Sequence, residues 1–231
     1  MDQANKIKNK VSKINFQTLH KITTNDAARL EARKINSIRN DLLSLNERIG
    51  FLDIEASNLS ATFGIVLTYC ISDIKGNIIK RTIEYKDWYS GIQDKILMKQ
   101  FIEDAKLFDR FVVHYGGDRR FDLPFLRTRC VFWGLDFPEY KDICISDTWV
   151  MLKNKFKLHS NRLETACSFL GIEAKGHKMK PEIWAALNTG NPKLWKPAMK
   201  YILVHNIEDV VSLRKLYIKI SKYSNNTKTS I

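Results

Sequence analysis

Two acids, Asp53 and Glu55, stand one residue apart inside the apolar run Phe51-Leu52-Asp53-Ile54-Glu55-Ala56. Side chains of an extended chain alternate, so both carboxylates fall on one face while Leu52 and Ile54 face a core. Adjacent carboxylates repel and resist desolvation, and a cation between them relieves both costs. The rival reading is an edge strand with a solvated acidic face. A third acid, Asp122, closes the stretch His114-Tyr115-Gly116-Gly117-Asp118-Arg119-Arg120-Phe121-Asp122 and opens the helical Leu123-Pro124-Phe125-Leu126. The glycines permit close backbone approach. Asp122 fits a metal ligand, or a plain helix N-cap, and Asp118 competes with it by position. A third pair, His205 and Asp209, is one helical turn apart and shares a face. That spacing suits a general base beside a metal ligand, or a surface i,i+4 pair.

Together Asp53, Glu55, Asp122 and Asp209 supply the hard oxygen donors that Mg²⁺ or Mn²⁺ favours. Two such ions form the clamp used for in-line attack on a phosphodiester, with His205 as base toward water. The composition agrees with a polyanionic substrate. The formal net charge is +13, and lysine and arginine displace counterions from nucleic-acid phosphates. Arg119 and Arg120 would stand beside a phosphate at the Gly-rich turn. Lys175, His177, Lys178 and Lys180 form a basic loop that could follow a backbone, or be simply solvated.

The elements that must position these groups can be read from periodicity. Strands are predicted at Gly50–Ala56, Phe63–Ser72 and Ile78–Tyr85, a meander with a turn at Lys75-Gly76-Asn77. Helix is predicted over Ser90–Phe108, strand over Arg110–Tyr115, helix over Asp122–Trp133 and strand over Ile143–Thr148, with Asp147 favoured as a helix cap. Helices follow at Asn161–Leu170, with Asn161 and Glu164 in capping-box spacing, at Pro181–Leu187, and at Pro197–Ser221. Three strands followed by alternating helix and strand predict an α/β mixed sheet flanked by helices. Trp184, Trp195 and Tyr201 are expected to pack a core, and His114 to lie on the core or its edge.

Around this domain, 49–221, residues 1–48 form a basic extension, with ten Lys and Arg against five Asp and Glu. Leu30, Ile35, Ile38, Leu42 and Leu45 have amphipathic helical spacing, suited to packing on the domain or on a partner protein. Residues 222–231 are polar, as a flexible tail would be. Hydrophobic residues reach 44%, enough for a real core. The four cysteines lack paired spacing, which argues against a zinc site or disulfide framework. A polar start and no long apolar stretch predict a soluble, intracellular protein with no membrane partner.

The three motif stretches, in order, resemble the DEDD (DnaQ-like) 3′→5′ exonucleases of the ribonuclease H-like superfamily. FLDIEAS is similar to their first motif, HYGGDRRFDLPFL to the second and HNIEDVVSLRKLY to the third. The likeness spans about 50–220 and is strongest to the YprB-like ribonuclease H-like group of prokaryotes and phages, in which LHSNRLETACSFLGI also has a counterpart. It implies a ribonuclease H-like fold, a two-metal site on Asp53, Glu55, Asp122 and Asp209, and a DNA or RNA 3′ end as substrate. His205 stands four residues before Asp209, the slot that the tyrosine subclass fills with Tyr. This departure bears on the pH profile. A structure-directed endonuclease on the same fold and a non-catalytic nucleic-acid-binding module are the alternatives.

Overall fold

A computed structural model describes residues 47–118, 120–139, 141–173 and 178–224. The amphipathic pattern within 1–46, Arg119, the loop residues Lys175 and His177, and the tail beyond 224 lie outside them. Five strands form one sheet in the order β3-β2-β1-β4-β5. They are β1 (Ile49–Ala56), β2 (Val66–Asp73), β3 (Ile78–Thr82), β4 (Arg110–Val113) and β5 (Cys144–Asp147). β1–β2 and β2–β3 are antiparallel, β1–β4 and β4–β5 parallel. The fold is thus the mixed α/β sheet flanked by helices that the alternation predicts.

β1 is central, so both of its faces must be covered. Leu52 and Ile54 enter one apolar core with Tyr69, Met98, Phe101, Phe111, Leu123 and Leu126. That core lies under α2 (Lys95–Ala105) and α3 (Asp122–Phe132). Phe51, on the opposite face, joins Leu152, Leu213, Leu216 and Tyr217 in a second core. Here α4 (Thr148–Lys155), α5 (Leu163–Phe169) and the long α7 (Pro192–Ile220) cover the sheet. Asp53 and Glu55 share the Phe51 face, so they point toward α7.

Three boundaries differ from expectation. β2 starts at Val66 because Phe63 and Gly64 both donate to Ser60 O in a turn. Residues from Tyr85 form the short helix α1 (Tyr85–Trp88), and α2 waits until Lys95. The delay has a cause in Asp94, which is fully buried. Its carboxylate accepts from Val66 N at 2.9 Å, Trp133 Nε1 at 2.7 Å, and Arg129 Nε and Nη2 at 2.9 and 2.7 Å. α7 begins at Pro192 rather than Pro197, because Asn191 caps Lys193 N at 2.9 Å and Pro192 fills the first turn. Pro197 sits inside the helix, at the cost of one backbone bond.

Two local expectations need correction. α5 is preceded by Arg162 at the N-cap without a side-chain cap, so Asn161 and Glu164 form no capping box. Glu164 instead pairs with Lys178 at 3.0 Å. Helix α4 was not foreseen as an element, although its N-cap, Asp147, was.

Candidate active site

Glu55, His205 and Asp209 meet where β1 ends, while Asp53 and Asp122 are held by Asn206 and by Ile54 N beside it. The Asp53–Asn206 contact and the Phe51–Tyr217 ring contact show that α7 runs antiparallel to β1. Its middle therefore lies over the two strand acids. Asn206 is fully buried, and its Nδ2 donates to Asp53 Oδ2 at 2.6 Å. The other end of that amide faces Thr68 Oγ1 on β2 at 3.3 Å. Asn206 was missed in the sequence; its signal was its place between His205 and Asp209, facing the sheet.

His205 Nε2 lies 3.6 Å from Glu55 Oε1 and 3.5 Å from Asp209 Oδ2. One ligand atom from each of these three residues falls within 4.8 Å of the others, a geometry able to hold a metal ion. His205 and Asp209 are both buried, so this is not a solvated surface pair. β1 and β2 slip register between Glu55 and Ala56. Such a bulge bends a strand and re-aims its side chains, a device common beside active sites.

Asp122, the first residue of α3, bonds β1 at its edge past β4. β1 pairs with β4 only from Ile49 to Phe51. Beyond that its edge would be open, and Asp122 Oδ1 accepts from Ile54 N at 3.2 Å in place of a strand. The N-cap of α3 is Phe121, so the plain-cap reading of Asp122 does not hold. Asp118, its rival by position, pairs with Arg127 at 3.0 Å on the surface.

Burial pushes the Asp122 carboxyl up to about 7, with the Asp147 and Asp209 carboxylates acting the same way against bonds from Ile54 and its own amide. Between its unfolded value of 3.8 and about 7, the folded chain holds a proton that the unfolded chain has released. Metal-free protein should therefore lose stability as pH rises through that window and level off above it. A saturating divalent cation favours the ionised carboxylate and should flatten the slope. Thermal unfolding from pH 4.5 to 8 in EDTA and in Mg²⁺ checks this; parallel curves would contradict it.

Space around Asp122 is made by glycine. A Cβ built on Gly116 would stand 2.0 Å from Asp122 Oδ2. Gly116→Ala should therefore displace the carboxylate and reduce divalent-ion affinity and turnover by about a hundredfold, since ångström-scale misplacement costs that much. Calorimetric Mn²⁺ titration beside the rate would show it, and an unchanged affinity would refute it.

Asp147 organises the loop that carries these glycines. It caps Trp149 N at 2.9 Å, as foreseen, and also accepts from Tyr115 N at 3.0 Å and Gly117 N at 3.3 Å. Tyr115 is held at φ +59, a conformation that costs a non-glycine residue energy. Arg120 packs over the Trp149 ring at 4.0 Å and the Tyr115 ring at 4.7 Å, with Asp147 at 3.4 Å. Arg120 is thus engaged within the loop, and Lys178 with Glu164. His114 bonds Thr148 Oγ1 through Nδ1 at 2.8 Å, just past β4.

A mixed sheet in this strand order, with acids gathered at the end of its central strand, defines a ribonuclease H-like α/β domain. The sequence matches the RNase H superfamily over residues 50–221, and the chain belongs to that family. The fold is also similar to the family B DNA polymerase from the hyperthermophilic archaeon Pyrobaculum calidifontis, with a TM-score of 0.56 at 15% identity. That likeness covers 74% of this chain and 24% of the polymerase. No curated protein matches the chain. Among the described residues, no helix is long and apolar enough to cross a membrane.

Proposed function

We propose that the chain is a metal-dependent 3′→5′ exonuclease acting on DNA or RNA, of the DEDD type. The observation that carries it is the cluster of Glu55, His205 and Asp209 at the end of β1, with Asp53 on the same strand face and Asp122 bonded to that strand at Ile54 N. Their donor set fits two Mg²⁺ or Mn²⁺ ions, which when bound would supply charge stabilisation at the attacked phosphate and an acidified water.

The chain's own groups do the rest. Asn206 fixes the rotamer of Asp53, and Ile54 N fixes that of Asp122. His205 Nε2 takes the proton of the attacking water. The water oxygen bonds to phosphorus as the bond to the leaving 3′ oxygen breaks, and that oxygen is protonated from solvent. The Glu55 and Asp209 carboxylates stabilise the imidazolium so formed. Residues 1–48 are proposed as a separate basic arm that adds phosphate contacts or engages a protein partner.

The test uses 5′-labelled single-stranded, blunt and 3′-recessed oligonucleotides as DNA and RNA, with a circular strand as control. A ladder shortening from the 3′ end, present with Mn²⁺ and absent with EDTA, is expected. Cutting of the circle would replace this reading with an endonuclease. No cleavage of any substrate would leave a non-catalytic binding module.

A further inference from the structure

The positive charge of this chain is unevenly placed along the domain. Residues 49–147 hold thirteen Lys and Arg against fifteen Asp and Glu. Residues 148–163 then hold Lys153, Lys155, Lys157 and Arg162 and no acid. Residues 164–221, which include α6 (Pro181–Leu187) and α7, return to a mixture of nine cations and five acids. The four cations of 148–163 are exposed, and among the described residues none of them pairs with an acid. A coat of charge kept for solubility intersperses both signs, because like charges held close together repel. A polyanion laid across such a stretch relieves the repulsion and releases its own counterions.

The stretch is a ledge on the sheet face that bears Asp53 and Glu55. Met151 and Leu152 of α4 enter the second core with Phe51, and Phe156, Leu158 and Leu163 pack against it. Lys153, Lys155 and Lys157 are left facing solvent. The chain leaves α4 at Phe156 in an extended conformation, φ −127 and ψ 157, so inward apolar and outward cationic side chains alternate there. Tyr223 meets Phe156 edge-on at 5.6 Å and carries Lys222 over its ring at 5.0 Å, which adds a fifth cation. At its start the ledge joins the candidate site. Asp122 and Asp147, the N-cap of α4, flank consecutive glycines: a Cβ on Gly116 would meet Asp122 Oδ2, and one on Gly117 would stand 3.3 Å from Asp147 Oδ2. The Trp149 ring, one turn before Lys153, has Lys153 Nζ at 5.1 Å and the Arg120 guanidinium at 4.0 Å. Tyr115, half exposed, stands edge-on to it at 5.2 Å. A run of rings and cations thus leads from the loop beside Asp122 out along α4.

Resting on the exonuclease reading, we infer that α4 and the segment up to Arg162 form a binding ledge for the phosphate backbone of the substrate strand, on the 5′ side of the bond being cut. Lys153, Lys155 and Lys157 contact phosphates, which carry no sequence information, so the ledge grips strands of any sequence. It acts on nucleotides beyond the terminal one, so affinity rises with strand length.

The test separates binding from cleavage. The full chain, with Ca²⁺ in place of Mg²⁺, is titrated by fluorescence anisotropy against 5′-labelled single strands of about four and about twelve nucleotides, at several salt concentrations. A triple variant, Lys153→Gln with Lys155→Gln and Lys157→Gln, should bind the longer strand at least about tenfold more weakly. It should also lower the slope of log affinity against log salt by about 2, near 0.7 for each phosphate contact to a single strand. A control, Lys95→Gln with Lys99→Gln and Lys106→Gln, removes the same charge along α2, which covers the opposite face of the sheet. It should move the slope by less than about 1. Equal losses in the two triple variants would mean diffuse charge and overturn the ledge, as would an unchanged slope in the first. Strand binding intact but binding to phosphatidylserine vesicles lost would assign these lysines to a membrane surface instead. Cleavage by the unaltered chain with Mn²⁺ is run alongside. Cleavage with equal losses sinks the ledge and spares the nuclease. A slope change confined to the α4 variant, without cleavage, does the reverse, and neither binding nor cleavage overturns both.

Discussion

Asp209→Ala should abolish 3′-end shortening, lowering turnover by roughly a thousandfold or more, while the thermal transition stays cooperative. Asp209 sits buried against His205 Nε2 and within ligand distance of Glu55. In the proposed mechanism its removal deletes a metal ligand and loosens the histidine together. His205→Ala should cost less, about 10²–10⁴-fold, the range for a lost general base. Mn²⁺ calorimetry divides the roles: affinity should collapse in Asp209→Ala and persist in His205→Ala. If His205→Ala loses the metal as well, His205 is a ligand rather than the base.

The largest stability effect is expected far from the chemistry, at Asp94. This fully buried carboxylate faces the equally buried Arg129 guanidinium, and it also accepts from Val66 N and Trp133 Nε1. Asp94→Ala leaves a cation in the core with no counter-charge and strands two further donors. A loss of about 3–5 kcal/mol follows from breaking one side of a buried pair. The double variant Asp94→Leu with Arg129→Met should recover much of it, because an apolar pair of similar volume is often no worse than a buried ion pair. Urea unfolding of the two variants beside the unaltered chain reads this directly. A single-variant loss below about 1 kcal/mol would mean that the pair behaves like a surface bridge.

The sheet was legible because its strands carry apolar, β-branched runs broken by turn residues, and its class because three strands precede the alternation. The site acids were legible for a different reason: each is a polar group set in apolar surroundings, at strand or helix spacing. What escaped was held by distant partners. Asp94 reads as one more helix residue until Arg129 and Val66 are folded beside it. Asn206 reads as a polar helix position until Asp53, 153 residues away, is brought to it. Arg120 reads as a free cation beside the glycines until two aromatic rings and Asp147 are folded around it. Boundaries failed where proline was given one meaning: Pro197 suits a first turn, but Asn191 and Pro192 supplied a better start five residues earlier.

The long separation between Asp53 and its partner amide also has a consequence in time. A ribosome adds about 5–20 residues per second. The strand bearing the first two acids therefore emerges on the order of ten seconds before the helix that completes the cluster. Until α7 is made and docks, the nascent chain cannot bring His205 and Asp209 to Glu55. The candidate site thus assembles in one step with the closing of the second core, late in synthesis rather than strand by strand.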